Sequence, residues 1–376
     1  MRNARKILIV GGGIAGLTLA VALRRRGIGV DVVELQPRWN ILGVGISLTG
    51  PTLRALKSIG LIDQCVQAGF GFDRIVFADA AGREVGALNM PRLCGLDYPA
   101  TVAIGRPALH DVLISAAQEL GAKISLGTTI IALGQEANAV EVEFSNGRRA
   151  SYDLVVGCDG IHSVIRKLTF EAVPDASFTG LAVWRATVPR PKAIDCMQMF
   201  YGPNTKAGVN PHSQDEMFLF LVQPIADDRR LPPDRMHVIL REQLNDFSAD
   251  AVSHVREHLT DPRQVDYRPM NAFLLPPPWH RGRVLVIGDA AHTTTPHLAT
   301  GAGIAIEDAV VLAELLATDL AMPELLDRFM GRRYERCRLV VDTAVKLGEM
   351  EKDTTIPIQA HFDLMTATFR RLAEPI

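Results

Sequence analysis

The sequence lacks several features that would indicate particular classes of protein. Its cysteines form no Cys-x-x-Cys pair, which argues against disulfides and zinc and predicts buried thiols in a reducing compartment (Cys65, Cys94, Cys158, Cys196 and Cys337). A net charge of −2 gives no field for capturing nucleic acid or an acidic membrane. No stretch reaches the roughly 18 uninterrupted apolar residues of a membrane span. We therefore expect a cytoplasmic protein without a metal, nucleic-acid or membrane partner.

The composition is that of a globular protein, with 48% apolar and 22% charged residues. A chain of 376 residues exceeds what one hydrophobic core usually organises, so we expect two closely connected domains. The apolar N-terminal stretch resembles a secretion signal, but Gly11-Gly12-Gly13 interrupts it and no small-residue cleavage site follows. A strand, a turn and a helix explain this stretch better.

The N-terminal segment has the pattern of a dinucleotide-binding unit. Residues 6–10 are typical of a parallel strand that is buried on both faces. Residues 14–26 predict a helix, with Gly27 as its C-cap, and residues 30–33 predict the next strand. The two strands and the helix therefore predict the start of a parallel sheet.

The turn between the first strand and the helix carries the glycines that such a unit needs. Gly11 permits a tight bend, Gly13 lets the backbone approach a pyrophosphate, and Gly16 allows close packing of helix on strand. The helix N-terminus at Ile14-Ala15 supplies free N–H groups for phosphates. Glu34 follows Gly16 by 18 residues, where an acid can accept hydrogen bonds from a ribose.

A second strand-and-turn pattern lies in the middle of the chain. Residues 140–157 predict a hairpin that turns at Asn146-Gly147 and returns along residues 154–156. Asp159-Gly160 then forms a turn, and Ser163 is the predicted N-cap of the helix that follows.

A third pattern lies near residue 288, far along the chain from the first. Residues 284–287 predict a buried strand that runs directly into Gly288-Asp289. Two such patterns this far apart suggest one long ligand held from two sides. A cofactor such as FAD would need that arrangement, whereas a nicotinamide dinucleotide would not.

Together these patterns resemble the class A flavoprotein monooxygenases, the aromatic-ring hydroxylase family, in order and approximate spacing over almost the whole chain. The chain looks most similar to the shorter branch that contains salicylate and 6-hydroxynicotinate hydroxylases. The resemblance implies that Glu34 binds the adenosine ribose and that Asp289 binds the ribityl hydroxyls of FAD. It also implies that Asp159 organises FAD and transient nicotinamide contacts, and that Arg106 contacts the phosphate-ribityl arm.

The resemblance also places two glycine-rich segments beside the flavin ring. Gly43-Val44-Gly45-Ile46 matches a loop next to the isoalloxazine, and Gly301-Ala302-Gly303 precedes a helix whose N-terminal amides would face the pyrimidine. The chain departs from the family at two places. Leu35 stands where a basic residue usually follows the ribose-binding acid, with Arg38 as the substitute, and Ala299-Thr300-Gly301 replaces Gly-Gln-Gly.

Residues from about 175 to 275 predict short strands of a sheet that would cover the flavin ring. Met199 and Phe220 lie on two of these strands, where they either line a substrate pocket or pack in a core. His212 lies in a loop rich in glycine, proline and asparagine, so it is either a pocket residue or exposed. Arg185 either pairs with a substrate carboxylate or is solvated at a strand end.

Pro296-His297 follows the Gly288 turn and, by resemblance, approaches the reactive edge of the flavin. Two interpretations of His297 are open. Its neutral imidazole could accept the proton of a phenol or pyridinol hydroxyl, or a loop carbonyl could satisfy it. His292, in the Gly288 segment, is expected to have a structural task.

The fold that we predict is of the α/β class. It has a Rossmann-like three-layer FAD-binding domain, interleaved with a mixed β-sheet substrate domain and followed by C-terminal helices. The FAD-binding domain would comprise residues 1–70, 100–170 and 280–325, and the substrate-binding domain residues 71–99 and 171–279. Residues 326–376 would form the helical segment, which closes over the pocket or supports a homodimer, the alternative being a monomer.

The activity implied by the resemblance is hydroxylation of a small activated aromatic or N-heteroaromatic compound. NADH or NADPH would reduce FAD, and O₂ would form a flavin C4a-hydroperoxide that delivers one oxygen atom. No second glycine turn is available for the nicotinamide donor, so it would bind transiently. The alternatives are a flavin halogenase, whose Trp-x-Trp-x-Ile-Pro segment is missing, an FAD-dependent reductase, and a flavin-binding protein without turnover. A nicotinamide dehydrogenase would explain only residues 1–34.

Overall fold

The structure is a computed structural model that describes residues 6–40, 44–171, 173–203, 205–228, 231–353 and 355–376. Its strands β1 to β20 are, in chain order, Lys6–Val10, Gly29–Glu34, Gly45–Thr49, Phe70–Phe72, Arg74–Asp79, Glu84–Asn89, Thr101–Gly105, Lys123–Leu126, Ile130–Gln135, Val140–Phe144, Arg149–Tyr152, Leu154–Gly157, Ser177–Pro189, Met197–Tyr201, Lys206–Pro211, Glu216–Pro224, Val265–Leu274, His280–Arg281, Val284–Val286 and His292–Thr293. The helices α1 to α10 are Ile14–Arg25, Gly50–Ser58, Ile62–Ala68, Arg106–Glu119, Val164–Thr169, Met236–Gln243, Asp250–His258, Gly301–Leu316, Met322–Lys352 and Ile358–Ala373.

The N-terminal strand lies in the middle of a six-stranded sheet with the order β18-β19-β12-β1-β2-β8. Its pairings are parallel except for β18 with β19. The apolar run from Ile7 to Val10 is fully buried, because helices cover a parallel sheet of this kind. The glycine turn follows directly after the carboxyl end of β1, and helix α1 then packs against α4 and α8.

The predicted hairpin of residues 140–157 is only partly right. Strand β10 does turn at Asn146-Gly147, but its antiparallel partner is β11, and β9 flanks it on the other side. Residues 154–157 instead form β12, which pairs in parallel with β1 and β19. An apolar run of this length fits either the return strand of a hairpin or a strand of the parallel sheet. Only the long-range pairing with the N-terminal strand distinguishes the two.

A second, eight-stranded sheet has the order β20-β17-β13-β16-β15-β14-β5-β6. It is mixed, because β14 pairs in parallel with β5 while its other pairings are antiparallel. One face packs on α6 and α7 around Leu219 and Leu221. The α/β class, the mixed sheet and the C-terminal helices are therefore confirmed.

Two segments that the sequence indicated as loops are strands. Residues 206–211, next to the predicted loop of His212, form the fully buried strand β15 in the middle of the large sheet. Gly45 and Ile46 begin strand β3, which pairs with β7 in a small sheet of order β3-β7-β4. Gly43 lies outside the described residues.

The cysteines lie in the buried interior of the protein. All five thiols are free and buried, as the sequence predicted, and burial raises the pKa of Cys65 to about 12. Long α9 and the final helix α10 pack against each other, and α9 also contacts α8. In the described parts of the chain, no helix combines the length and the apolar character that crossing a bilayer requires.

Candidate active site

The first glycine turn leaves no room for side chains at two positions. Gly11 has a φ of +108°, and a Cβ there would lie 2.4 Å from the Cys158 carbonyl oxygen. A Cβ on Gly16 would lie 2.0 Å from the Gly11 carbonyl oxygen. Gly13, by contrast, has open space around it and begins α1 without a side-chain cap. The first N–H groups of α1 are therefore available to an anionic group that approaches this turn.

The first glycine turn and the Gly288 turn meet at one cavity. A Cβ on Gly288, whose φ is +62°, would lie 3.1 Å from the Cβ of Ala15 and 3.3 Å from that of Ala305. Residues on both turns, including Gly13 and Asp289, line a cavity of about 420 Å³. This shared cavity is what a long cofactor held from two sides requires.

Asp289 presents a carboxylate to this cavity. Its backbone carbonyl accepts a hydrogen bond from Thr293, but its side chain has no protein partner among the described residues. Enclosure by the cavity walls raises the pKa of Asp289, against the opposing charges of His292 and Arg106. Arg106 is the first residue of α4 and also lines the cavity. A free carboxylate and a guanidinium suit the hydroxyls and phosphates of FAD.

A buried ionic network anchors the Gly288 turn. Asp308 on α8 accepts hydrogen bonds from the Gly288 amide at 3.1 Å, from His292 Nε2 at 2.5 Å and from Arg333 Nε at 2.8 Å. The side chains of these three residues are fully buried. The pKa of Asp308 is held to about 2, because the charges of His292 and Arg333 outweigh burial. His292 thus has the structural task that the sequence predicted.

The same network resembles a metal site without needing a metal. The ligand atoms of His292, Asp308 and Cys337 lie within 4.8 Å of one another. However, the guanidinium of Arg333 already hydrogen-bonds to Asp308 and to the Cys337 sulfur. The cation in this cluster is therefore supplied by the chain itself.

The Asp159 segment forms a capped helix start that is tied to the Gly288 turn. The Asp159 carboxylate accepts hydrogen bonds from the Ser163 hydroxyl and from the amides of Val164 and Ile165. Ser163 caps α5 as predicted, with the Arg166 amide as donor at 2.9 Å. The Arg166 guanidinium donates to the Ala290 carbonyl at 2.7 Å. Burial raises the pKa of Asp159 in spite of these bonds. A contact between Asp159 and a cofactor stays a prediction.

The predicted ribose-binding residues lie at the edge of the first turn. The Glu34 carboxylate accepts hydrogen bonds from the amides of Gly12 and Gln36, each at 2.8 Å. Leu35 is 62% exposed, and Arg38 is exposed as well. None of Glu34, Leu35 and Arg38 lines the cavity. An adenosine moiety bound by these residues would therefore lie on the outer surface, and this role stays a prediction.

The glycine-rich start of α8 contributes to the cavity in part. Helix α8 begins at Gly301, and Gly301 and Ala302 line the cavity with their free helix N-terminus. Gly303 does not line it, since a Cβ at this position would lie 2.2 Å from the Thr52 hydroxyl. Gly303 thus lets α2 approach α8, which is a packing role.

One face of the eight-stranded sheet forms the opposite wall of the cavity. Arg185, Phe220, Gly208 and Met199 are consecutive register partners on β13, β16, β15 and β14. Arg185, Phe220 and Met199 all line the cavity. A Cβ on Gly208 would lie 2.3 Å from the Phe220 ring, so the glycine allows this ring to lie across its strand. Met199 and Phe220 therefore line this cavity, and their contact with a substrate stays a prediction.

His297 is buried at the cavity wall and has a partner on each ring nitrogen. Its Nδ1 lies 2.8 Å from the Thr295 hydroxyl, and its Nε2 lies 3.2 Å from the Glu351 carboxylate. Glu351 also pairs with Lys206 of β15. Burial alone would raise the pKa of Glu351, but the charges of Lys206 and His297 hold it to about 2. The expected alternative of a loop carbonyl partner is wrong.

Two further predictions about basic residues need correction. His212 is only 7% exposed and packs near Phe218, so it is neither exposed nor among the residues that line the cavity. Arg185 lies within β13 and not at a strand end, and its guanidinium is 3.7 Å from Asp266. Burial lowers the pKa of Arg185, although Asp266 opposes this. Arg185 therefore faces the cavity with a loosely held carboxylate partner.

Several residues of the site were missed from sequence. Lys206, Asn210 and Thr295 line the cavity, and Glu351, near the end of α9, contacts two of its lining residues, His297 and Lys206. Asn210 donates to the Ser47 hydroxyl at 3.0 Å, while its side-chain oxygen is buried and has no hydrogen-bond partner among the described residues. For β15, the sequence did contain a signal that could have identified these residues, namely a lysine and an asparagine within a short apolar segment. Nothing in the sequence distinguishes Glu351 from the other acids of a long helix.

The chain is similar to known flavoproteins along most of its length. The family described as FAD binding domain matches residues 4–344. The putative FAD-dependent monooxygenase YetM of Bacillus subtilis (strain 168) is 30% identical over 88% of this chain and 90% of its own length. The 3-amino-4-hydroxybenzoate 2-monooxygenase of Streptomyces cremeus is also 30% identical, over 89% of this chain and 83% of its own.

A solved structure has the same architecture. Klebsiella pneumoniae HpxO, complexed with FAD and uric acid, aligns with a TM-score of 0.84 over 100% of this chain and 94% of that chain. Its sequence identity of 24% supports a common fold alone. The activity rests on the family match and on the relatives that share 30% of their residues. The chain therefore belongs to the class A FAD-dependent aromatic-ring monooxygenases, and it is an enzyme with FAD as its cofactor.

Proposed function

We propose that this enzyme hydroxylates a small activated aromatic or N-heteroaromatic compound in a single-component reaction with NAD(P)H and O₂. The observation that supports this most directly is the shared cavity, in which Gly13 and Asp289 face the phenyl and methionine side chains of the large sheet. FAD, when bound, supplies the oxygen-transfer chemistry. The chain binds and orients the ring, excludes water and moves the substrate proton.

The cofactor end of the cavity suits FAD for electrostatic reasons. The N-terminus of α1 would meet the pyrophosphate, and Asp289 would accept hydrogen bonds from the ribityl hydroxyls. The N-terminus of α8 at Gly301 would face the flavin pyrimidine, where negative charge is stabilised by roughly 0.3–1 kcal/mol or more.

A proton relay can run from the cavity to Glu351. With Nε2–H of His297 donating to Glu351, Nδ1 is free to accept from the Thr295 hydroxyl. A substrate hydroxyl bound at Thr295 can then pass its proton to Thr295 Oγ as Thr295 passes its own to His297 Nδ1. The carboxylate of Glu351 stabilises the resulting imidazolium. A deprotonated ring is more electron-rich and accepts an electrophilic oxygen more readily.

The test is a screen of phenols, salicylates and hydroxypyridines for stimulated NAD(P)H oxidation by the FAD-loaded enzyme. The expected product carries one added oxygen atom that comes from labelled O₂, as measured by mass spectrometry. A requirement for chloride or bromide would instead identify a halogenase. Oxidation of NAD(P)H that yields only hydrogen peroxide with every compound would contradict the proposal.

The relay has its own test in two variants of one residue. Thr295→Val removes the hydroxyl with little change of shape, so we expect retained FAD, a lower ratio of product to peroxide, and partial recovery at higher pH, where the substrate ionises by itself. Thr295→Ser keeps the hydroxyl and should retain most of the coupling. Equal coupling in both variants would show that Thr295 does not carry the proton.

A further inference from the structure

The cavity continues beyond the proposed ring site into a region that the oxygen-transfer chemistry does not require. This region, which we call the methionine arm, is lined by Phe72, Ile75, Met90, Met197, Met199 and Met365. They come from β4, β5, β14, α10 and the residue after β6. The six side chains that define the arm are all apolar, and the hydroxyl-bearing residues Thr49 and Thr101 line the same cavity.

The register of the large sheet shows how far the arm extends. Arg185, Phe220, Gly208, Met199 and Phe77 are successive partners on five adjacent strands. Strands lie about 4.8 Å apart, so the distance from the strand of Phe220 to that of Met199 is roughly 10 Å. The row therefore passes from a guanidinium, across an aromatic ring, to thioether and aromatic side chains.

The last helix packs against the large sheet next to the arm. The Phe77 ring lies 4.3 Å from the Phe362 ring of α10, measured between centroids. Met365, one turn later on α10, is 7% exposed and lines both the arm and a surface groove beside β6. The arm is thus an apolar extension of the active site that borders α10, with Met365 between it and the surface groove.

Two basic side chains of the same cavity already have acidic partners in the chain. Lys206 pairs with Glu351, and Arg185 lies 3.7 Å from Asp266. A carboxylate on the distal part of a substrate would therefore lose its hydration in the arm without gaining a cation. Methionine side chains, in contrast, adapt to flexible apolar groups of varied shape.

We propose that the substrate is an aromatic ring that carries an aliphatic chain, with the ring at Thr295 and the chain in the methionine arm. This inference rests on the proposed function for the position of the ring. It adds the chemical class of the substituent, which is apolar and flexible, and it disfavours substrates that carry a carboxylate at the far end.

The experiment measures binding to the FAD-loaded enzyme for 4-ethyl-, 4-butyl-, 4-hexyl- and 4-octylphenol and for 4-hydroxybenzoate, from the change in flavin absorbance. The dissociation constant should fall about fourfold for each methylene that enters the arm, until the arm is full. 4-Hydroxybenzoate should bind more weakly than 4-ethylphenol. A flat alkylphenol series, tighter binding of the carboxylate, or no binding by any alkylphenol would overturn the inference.

Variants of the arm test its location. Met197→Trp fills the arm, so the advantage of octylphenol over ethylphenol should drop at least tenfold. Met236→Trp is the matched control. Met236 packs against the apolar core between the large sheet and helices α6 and α7, and it does not line the cavity. Met199→Ala enlarges the arm and should retain the preference for long chains. This result would show that the effect of Met197→Trp comes from filling the arm and not from a general disturbance of the structure. An unchanged chain-length preference in Met197→Trp would place the alkyl group elsewhere.

The two proposals fail separately. If no phenol yields a product with one added oxygen atom, hydroxylation is excluded, yet the binding series still measures the arm. If short phenols are hydroxylated but chain length has no effect on binding, the function stands and the methionine arm does not hold an aliphatic chain.

Discussion

Replacing Arg333 with methionine should both destabilise the protein and loosen FAD. The Arg333 side chain is fully buried and donates hydrogen bonds to Asp308, to Glu307 at 3.0 Å and to the Ile304 carbonyl at 3.0 Å. Methionine has a similar length but no charge or donor, so Asp308 would lose one of its two buried cationic partners. Since Asp308 also holds the Gly288 amide, the turn that carries Asp289 should become mobile.

The expected magnitude follows from breaking a buried ion pair. Removing one partner of such a pair typically costs about 3–5 kcal/mol, because the other charge stays buried without compensation. Arg332, the preceding residue, provides the matched control. It pairs with Glu314 at 3.0 Å, and both side chains are about one-third exposed. An exposed pair of this kind contributes about 0–1 kcal/mol, so Arg332→Met should have little effect.

The assay is chemical unfolding, combined with the flavin content per protein after dialysis. Arg333→Met should lower the free energy of unfolding by several kcal/mol and release FAD, whereas Arg332→Met should do neither. Adding Asp308→Asn to Arg333→Met should recover part of the loss, because the amide removes the buried negative charge that Arg333 no longer balances, while an oxygen still faces Gly288. Equal stability and flavin content in the two methionine variants would refute the reasoning.

The remaining predictions concern the cavity walls. Asp289→Ala should lower the FAD content after dialysis, since its carboxylate faces the cavity without a protein partner; undiminished absorbance would argue against that role. Gly45→Ala would place a Cβ 2.1 Å from the Phe218 ring, so the free energy of unfolding should fall by about 1–3 kcal/mol. Gly86→Ala serves as the control, because Gly86 has open space around it. The pKa of Glu351 is lowered to about 2, so the stability that its carboxylate contributes to the folded protein should be lost as the pH falls from about 5 towards 2. Urea unfolding of Glu351→Gln should show a flatter pH profile over that range, and an unchanged profile would contradict the assignment.

Local patterns were enough to predict much of the cofactor end. A glycine turn after a buried apolar strand has few alternative structures, because Gly11 and Gly16 tolerate no side chain. The strand of residues 284–286 and the start of α4 at Arg106 also follow from short-range signals. These features depend on residues that are neighbours in the chain.

The substrate end was predicted less well, because its residues come together only through the sheet. His212 lies in a short loop as expected, but it is buried, and the residues before it form the buried strand β15, which brings Lys206 to the cavity. Glu351 reaches His297 from the far end of α9, and Gly348, where a Cβ would lie 3.0 Å from the imidazole, permits that approach. No spacing in the sequence relates Lys206, His297 and Glu351.

The sequence by itself therefore determined the positions of the glycine turns and the α/β class, since both depend on backbone conformations that only certain residues allow, and its resemblance to a known family indicated the cofactor. Tertiary structure alone decided the register that sets Phe220 across Gly208 and the pairing of Lys206 with Glu351. The physical reason is that side-chain neighbours across a sheet are set by long-range strand pairing, and many apolar sequences satisfy the same alternation.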